Sequence, residues 1–135
     1  NGILAGQGAF NLDGWALTLN GGTPALQLGT GIFTFVIGNK KVDDGAWHHI
    51  VATRNGSSGA LALYVDGVPA GSSVESAPGL LNGATQILIG YSGFRGQMDH
   101  FQLYRTALSA STVRLSGENA VTILAPPLVV RVSGA

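Results

Sequence analysis

The sequence has no cysteine, which excludes disulfides, zinc–thiolate sites and cysteine nucleophiles. Charged residues are scarce at 10% of the chain, against roughly a quarter in an average soluble domain. Seven Lys and Arg balance seven Asp and Glu, so no net field attracts nucleic-acid phosphates or anionic lipid. No apolar run reaches the roughly 18 residues that a membrane-spanning helix needs. We therefore expect neither a nucleic-acid partner nor insertion into a membrane.

Aromatic residues are also few, at 7%, whereas 45% of the chain is hydrophobic, so a disordered chain is excluded. The 21 glycines follow no three-residue period, which excludes collagen. A length of 135 residues fits one domain better than two. Because the sequence opens at Asn1 without Met or a signal segment, we expect a processed product or an excised piece.

Short runs of β-branched, aromatic and aliphatic residues recur along the chain and alternate with turn dipeptides. Such spacing predicts an all-β sandwich or barrel whose consecutive strands are antiparallel neighbours. Turn dipeptides such as Asn20-Gly21 and Asp66-Gly67 suit hairpins because they tolerate positive φ. The predicted strands are Trp15–Asn20, Ala25–Leu28, Ile32–Ile37, Trp47–Arg54, Ala60–Val65, Gln86–Ile89 and Met98–Tyr104.

One short helix is predicted after the last of these strands. Ser109 provides an N-cap hydroxyl before the segment Ala110–Leu115, and Gly117 is well placed to end the helix. The helix therefore has about two turns.

Two neighbouring segments carry the most specific pattern. The first is Asp44-Gly45-Ala46-Trp47-His48-His49-Ile50-Val51-Ala52-Thr53, and the second is Leu61-Ala62-Leu63-Tyr64-Val65-Asp66-Gly67. Together they closely resemble the D-G-x-W-H-H-V-A-x-T and L-x-L-Y-V-D-G hallmark of laminin G-like domains. The downstream segments Ile87–Gly90 and Phe94–Ser109 are similar to the L-x-I-G and F-x-G-x-I-D-D-V-x-I-Y-N-x-A-L-S segments of that family.

This resemblance implies an all-β, concanavalin A-like jelly-roll sandwich of two antiparallel sheets with one short helix near the C-terminus. We expect the sandwich to span residues 1–118. The family normally has further strands before the position of Trp15, and these front strands are expected to be missing. Residues 119–135 form an apolar tail, either an extra strand or a linker to a further module.

Catalytic chemistry finds little support in the sequence. Adjacent strand residues point to opposite faces, so His48 and His49 cannot share one ligand and are expected to be structural. The resemblance extends to glucanases that use paired carboxylates, which retaining hydrolysis requires about 5 Å apart. The two glutamates, Glu75 and Glu118, lie in a polar loop and beyond the helix. We therefore predict that the protein is not an enzyme.

Three binding hypotheses remain open beside ordinary structural explanations. The family resemblance makes Asp99 a candidate calcium ligand, with a structural hydrogen-bonding role as the favoured alternative. Exposed aromatics stack on sugars, so Tyr91 and Phe94 with Arg95 are candidate glycan contacts, or else residues at the edge of the core. Asn55-Gly56-Ser57 matches a glycosylation acceptor, or is simply a tight turn.

The two tryptophans are both expected in the core. Truncation of a large core aromatic costs about 3–5 kcal/mol, so Trp47→Ala should severely destabilise the domain. Trp15 is likewise favoured as a core residue over a ligand platform.

The pattern of the tail, residues 119–135, predicts a strand with one apolar face. Leu128, Val130 and Val132 alternate with Val129 and Arg131. Three fates are open for this assembly strand: it folds back within its own chain to fill the sheet position left by the missing front strands, it adds to the sheet of a neighbouring subunit, or it opens a further module. Deletion of residues 126–135 should lower stability or abolish assembly in the first two cases.

The sequence thus favours a non-catalytic recognition or adhesion module of a larger secreted or cell-surface protein, with a glycan or an extracellular protein as partner. The alternative is a structural subunit of an extracellular filament, polymerised by strand addition through the tail. The low charge and the positive mean hydropathy of +0.30 support that alternative.

Overall fold

The computed structural model describes residues 1–9, 12–81, 86–117 and 130–134, and of residues 115–117 and 130–134 only the backbone. These residues form strands and one helix, and none of their helices is long and apolar enough to cross a membrane. The strands are β1 Gly2–Gln7, β2 Trp15–Asn20, β3 Thr23–Gly29, β4 Phe33–Ile37, β5 Trp47–Arg54, β6 Ala60–Val65, β7 Val68–Val74, β8 Ile87–Tyr91, β9 Gly96–Asp99 and β10 Val130–Gly134; the helix α1 is Ala110–Gly117.

The strands build two five-stranded sheets. Sheet A has the order β4-β3-β2-β1-β8, and sheet B has the order β7-β6-β5-β10-β9. Every strand pair is antiparallel. The predicted all-β sandwich of two antiparallel sheets with one short helix is therefore confirmed.

The core lies between the sheets and consists almost entirely of aliphatic side chains. In β6, Leu61, Leu63 and Val65 are at most 2% exposed, as expected when alternate residues of a strand face the opposite sheet. Leu28 of β3 and Ile50 of β5 belong to the same cluster. Burial of this apolar surface stabilises the sandwich and fixes the register of its strands.

Two-residue turns connect neighbouring strands, as the turn dipeptides predicted. Gly21 and Gly22 join β2 to β3 with φ of 58° and 81°, and Asp66 and Gly67 join β6 to β7 with φ of 54° and 78°. Two consecutive residues at positive φ give the twist that a tight hairpin needs. The sequence contains a further turn dipeptide, Asn82-Gly83, which lies outside the described residues.

Three strand assignments differ from the sequence prediction. β1, upstream of Trp15, and β7 were not predicted; β1 is glycine-rich and mostly buried, so it lacks the polar alternation by which a half-exposed strand is recognised. The predicted strand Met98–Tyr104 was wrong from His100 onward, because β9 spans Gly96–Asp99. His100 has φ of 52°, which turns the chain out of the sheet.

The helix α1 confirms the prediction at both ends. The Ser109 hydroxyl accepts a hydrogen bond from the Thr112 N–H at 3.2 Å, as an N-cap should, and the helix ends at Gly117. The backbone of Arg114 packs closely on Gly67. The helix is thus seated on the β6–β7 turn.

The tail forms β10, which lies between β5 and β9 in sheet B. Val130 and Val132 stand opposite Ile50 and His48 of β5, and Val132 also stands opposite Met98 of β9. Residues 130–134 are therefore in the sheet of their own chain, the first of the three fates considered. Leu128 lies outside the described residues.

The placement of Trp47 in the core was wrong. Its side chain is 52% exposed, because β5 buries His48 and Ile50 instead and Trp47 lies at the end of the strand. Trp15 is half-buried and packs against the core, and its indole N–H donates to Gln7 Oε1 at 3.3 Å.

Candidate functional site

A hollow of about 290 Å³ lies at one end of the sandwich, and we call it the loop hollow. Four parts of the chain contribute to it: the start of β1, the β2–β3 hairpin, the β4–β5 loop and the β8–β9 loop. Its lining residues are Asn1, Leu19, Gly22, Asp43, Gly93, Phe94 and Arg95. The hollow therefore combines an aromatic ring, a cation, a carboxylate and an amide.

The floor of the loop hollow depends on a glycine. Gly22 has φ of 81°, and the Asp43 carboxylate packs directly where a β-carbon on Gly22 would lie. The N–H of the fully buried Val42 donates to the Gly22 carbonyl at 2.9 Å. These contacts fix the backbone that carries Asp43. Asn1 Oδ1 accepts a hydrogen bond from the Gly21 N–H at 2.6 Å, which holds Asn1 against the β2–β3 hairpin.

The structure brings together two of the three predicted glycan contacts. Phe94 is half-buried and packs against the core, while Arg95 is exposed, and both line the loop hollow. Tyr91 does not line it: its hydroxyl lies against Gly6, near the end of β1. Asp43 was not singled out from the sequence.

Beside the loop hollow, four charged side chains form a cluster that we call the His48 clamp: Lys40, Asp44, His48 and Asp66. His48 Nδ1 lies 2.9 Å from Asp66 Oδ2, and its Nε2 lies 2.9 Å from Asp44 Oδ1. Lys40 Nζ donates to Asp66. Since a carboxylate only accepts hydrogen bonds, both ring nitrogens must donate, and His48 is an imidazolium in this arrangement.

The pKa values within the His48 clamp follow from these contacts. Burial lowers the pKa of His48, but hydrogen bonds to Asp66 and Asp44 outweigh burial and raise it above 6.5. The pKa of Asp44 is lowered, mainly by the Ala46 N–H and then by His48. Burial raises the pKa of Asp66, yet Lys40, His48 and the His49 N–H together bring it below 3.8. The contacts within the clamp therefore favour the charged forms of His48, Asp44 and Asp66.

The β4–β5 loop belongs to both sites. It supplies Asp43 to the loop hollow and Lys40 and Asp44 to the His48 clamp, with the buried Val42 between them. The clamp fastens this loop to the β6–β7 turn at Asp66. Asp44, His48 and Asp66, which belong to the two motif segments, therefore hold in place the loop that forms one wall of the loop hollow.

Glu75 is buried in an ion pair. Its side chain is 1% exposed, and its oxygens accept from Arg54 Nε at 2.7 Å and Nη2 at 3.2 Å and from the Thr30 hydroxyl at 3.3 Å. Arg54 also donates to the Gly79 carbonyl. Glu75 lies in the loop that follows β7, as expected, and it is buried there in its ion pair with Arg54. A carboxylate so occupied is poorly placed to attack a substrate.

Asp99, the candidate calcium ligand, lies in an exposed ion pair. The Asp99 carboxylate lies 2.9 Å from His100 Nδ1 and is exposed, and the described part of the chain brings no three His, Asp or Glu side chains together for a metal. Calcium takes six to eight oxygen ligands. Calcium binding at Asp99 stays a prediction.

The predicted glycosylation acceptor lies at the β5–β6 turn. Asn55 is exposed, and its Oδ1 accepts from the Ser57 and Ser58 N–H groups at 3.0 and 3.1 Å. This is the hydrogen-bonding pattern of an Asx turn. Glycosylation of Asn55 remains a prediction.

A second concavity, of about 230 Å³, lies between the sheets and is lined mainly by core side chains such as Leu17, Leu28 and Ile50. Gln102 Oε1 and the Tyr104 hydroxyl, on its wall, are buried without a hydrogen-bond partner among the described residues. Burial raises the pKa of Tyr104. Its lining also includes Arg54, Arg105 and Thr106, but apolar side chains predominate.

The two sheets and the position of the loop hollow define a β-sandwich of the concanavalin A-like kind. Residues 2–114 match a laminin G family model described as the concanavalin A-like lectin/glucanases superfamily, and the chain belongs to this family. No curated protein and no solved structure matches the chain. The superfamily suggests a carbohydrate- or protein-binding module.

Proposed function

We propose that the protein is a non-catalytic recognition or adhesion module of a larger secreted or cell-surface protein, and that it binds glycan in the loop hollow. The observation that carries the proposal is the convergence of Phe94, Arg95 and Asp43 from separate loops on one hollow. Membership of a lectin-containing superfamily supports a carbohydrate or protein ligand over other classes.

The groups in the loop hollow suit a sugar. Asp43 accepts hydrogen bonds from hydroxyl groups and Arg95 donates several, while the apolar face of a pyranose packs on an aromatic ring such as Phe94. Neither Asp43 nor Arg95 forms a salt bridge or hydrogen bond with another described side chain. Both are therefore available to a ligand.

The test is a glycan array followed by titration calorimetry on the best glycan, with single variants of the loop hollow. Hydrogen bonds to charged groups contribute about 1.5–3 kcal/mol, so Arg95→Ala and Asp43→Asn should each weaken binding about tenfold or more. Arg105→Ala, an exposed arginine outside the hollow, is the matched control and should bind normally. Equal affinity of all three variants would refute the loop hollow as the site.

Hydrolytic activity is not expected. Glu75 is occupied by Arg54, and Glu118 lies outside the described residues. Incubation with β-glucans should give no release of reducing ends. Turnover that disappears in Glu75→Gln would contradict a non-catalytic function.

A second candidate function is a structural subunit of an extracellular filament, joined by strand addition. It is favoured by the place of β10: a C-terminal strand occupies an interior position of sheet B and has β5 on one side and β9 on the other. Electron microscopy of native material tests it, since regular polymers are expected for a filament subunit and discrete particles for a recognition module.

A further inference from the structure

We propose that β10 is exchanged between copies of this chain: Val130–Gly134 of one molecule occupies the slot between β5 and β9 of a second molecule. The proposal deepens the second candidate function, because it names the partner, the acceptor slot and the register of the contact.

The slot is defined by two ladders. Val130 to Ser133 pair with β5 from Ile50 back to Trp47, and Arg131 to Gly134 pair with β9 from Asp99 back to Gly96. The main-chain groups on both sides of β10 therefore have partners. Because main-chain pairing does not depend on which molecule supplies the strand, the same slot accepts β10 from a second copy.

The slot also has to be filled. Among the described strands, β9 has only β10 as its partner, and β5 pairs with β6 on its other side. Removal of β10 would expose two strand edges together, next to the buried residues His48 and Ile50. Open edges of this kind pair readily with another strand.

The connection is long enough for exchange. Twelve residues, 118–129, separate Gly117 from Val130 in the sequence. A chain of that length spans at most about 40 Å when extended. This exceeds the distance between the centres of two small domains in contact. Exchange of an identical element costs little, because the native contacts are conserved, and higher protein concentration favours it. A reciprocal exchange closes a dimer, and a head-to-tail exchange grows a filament.

The absence of cysteine permits a direct test. Trp47 and Ser133 stand opposite each other across β5 and β10, and Trp47 is half exposed, so cysteines there suit a disulfide. Full-length Trp47→Cys and Ser133→Cys proteins are mixed, unfolded, refolded together at about 100 μM and oxidised. Exchange predicts a covalent heterodimer, detected by intact mass.

Two controls make the outcome decisive. Ser57→Cys, at the exposed β5–β6 turn, replaces Trp47→Cys in a parallel mixture and reports random cross-linking. The double variant Trp47→Cys/Ser133→Cys should close within one chain at high dilution, which verifies the register. A heterodimer yield no higher than that of the Ser57→Cys mixture, or a double variant that never closes, would overturn the proposal.

The filament function has a separate readout. Exchange in the mixed variants together with discrete native particles would support the exchange and reject the filament. Native filaments, combined with no 47–133 cross-link in the mixed variants, would support the filament function and overturn the exchange of β10.

Discussion

His48 shows what the most specific part of the sequence motif does physically. The sequence placed it on a strand and predicted a structural role, and its burial agrees with that prediction. Its partners could not be predicted, because Lys40 and Asp44 come from one loop and Asp66 from the following hairpin. Strand alternation assigns a side chain to a face, but it does not say which loop folds over that face.

The His48 clamp should make stability depend on pH in two directions. The raised pKa of His48 contributes stability that is complete below pH 6.5 and is lost as the pH rises through the folded-state value. The lowered pKa values of Asp44 and Asp66 contribute stability that is complete above pH 3.8 and is lost as the pH falls below it. Urea unfolding at a series of pH values should therefore show a maximum of this contribution between about pH 4 and 6.5.

His48→Gln is the variant for this measurement, and His100→Gln is its control because His100 is exposed. The free-energy difference between the wild type and His48→Gln should be largest between those pH values and should shrink on either side. The wild type and His100→Gln should differ little throughout. A difference for His48→Gln that is constant from pH 4 to 10 would contradict a charged His48.

Trp47→Ala should cost under about 1 kcal/mol, because surface substitutions rarely cost more. Leu63→Ala, at a fully buried position, should cost about 2–5 kcal/mol. Chemical unfolding of the two variants side by side checks both values. A loss of 3 kcal/mol or more in the free energy of unfolding of Trp47→Ala would indicate that Trp47 is a core residue, as predicted from the sequence.

At the scale of elements, the Arg54–Glu75 pair fastens the end of β5 to the chain that follows β7. Arg54 also reaches the Gly79 carbonyl, and Thr30 reaches Glu75 from the β3–β4 connection. Three connections at one end of the sandwich are thereby joined through a single buried carboxylate. A buried carboxylate such as that of Glu75 is tolerated only because its oxygens accept hydrogen bonds from Arg54 and Thr30.

Glu75→Gln should therefore destabilise the protein by about 3 kcal/mol, since it leaves the Arg54 guanidinium partly buried without a countercharge. Thermal and urea unfolding measure the loss. The double variant Arg54→Met/Glu75→Leu is the comparison, and it should recover much of the stability because neither charge is then left alone. A Glu75→Gln variant as stable as the wild type would show that the stability of the protein does not depend on the negative charge of Glu75.

The sequence located most strands because apolar alternation and turn dipeptides are local signals. β2, β5 and β6 have the predicted ends, whereas β1 and β7 were missed. β7 contains Pro69 and Gly71 within Val68–Val74, and such residues argue against a strand in the sequence. Gly71 is nevertheless required there, because a β-carbon would collide with the Ile37 carbonyl of β4.

For the whole molecule, deletion of residues 126–135 should lower the melting temperature. Without β10, β5 loses its neighbour at Trp47–Ile50 and β9 loses its described strand partner. Hydrogen exchange should then be faster in β9 than in β6, which keeps its own two neighbours. A truncated protein with an unchanged melting temperature and unchanged protection in β9 would show that β10 contributes nothing to the sandwich.

The loop hollow was only half predictable, and the reason lies at this scale. Phe94 and Arg95 were found because they are adjacent in a loop. Asp43 joins them from the β4–β5 loop and Gly22 from the β2–β3 hairpin, both far away in the sequence, through packing that no short pattern records. Residues within one loop can be grouped from the sequence, whereas residues from several loops are grouped only by the completed sandwich.

The interior position of β10 also sets the order in which the protein can fold. The hairpins β2–β3–β4 and β5–β6–β7 join strands that are close in the sequence, so they can form early and locally. Sheet B can be completed only after β10 is synthesised, later than all the other strands of that sheet. Pairing β10 with β5 closes a long loop of chain, and this closure carries an entropic cost before any contact compensates it. During synthesis β5 and β9 are consequently the last edges to be covered, and a chaperone would find its binding surface there.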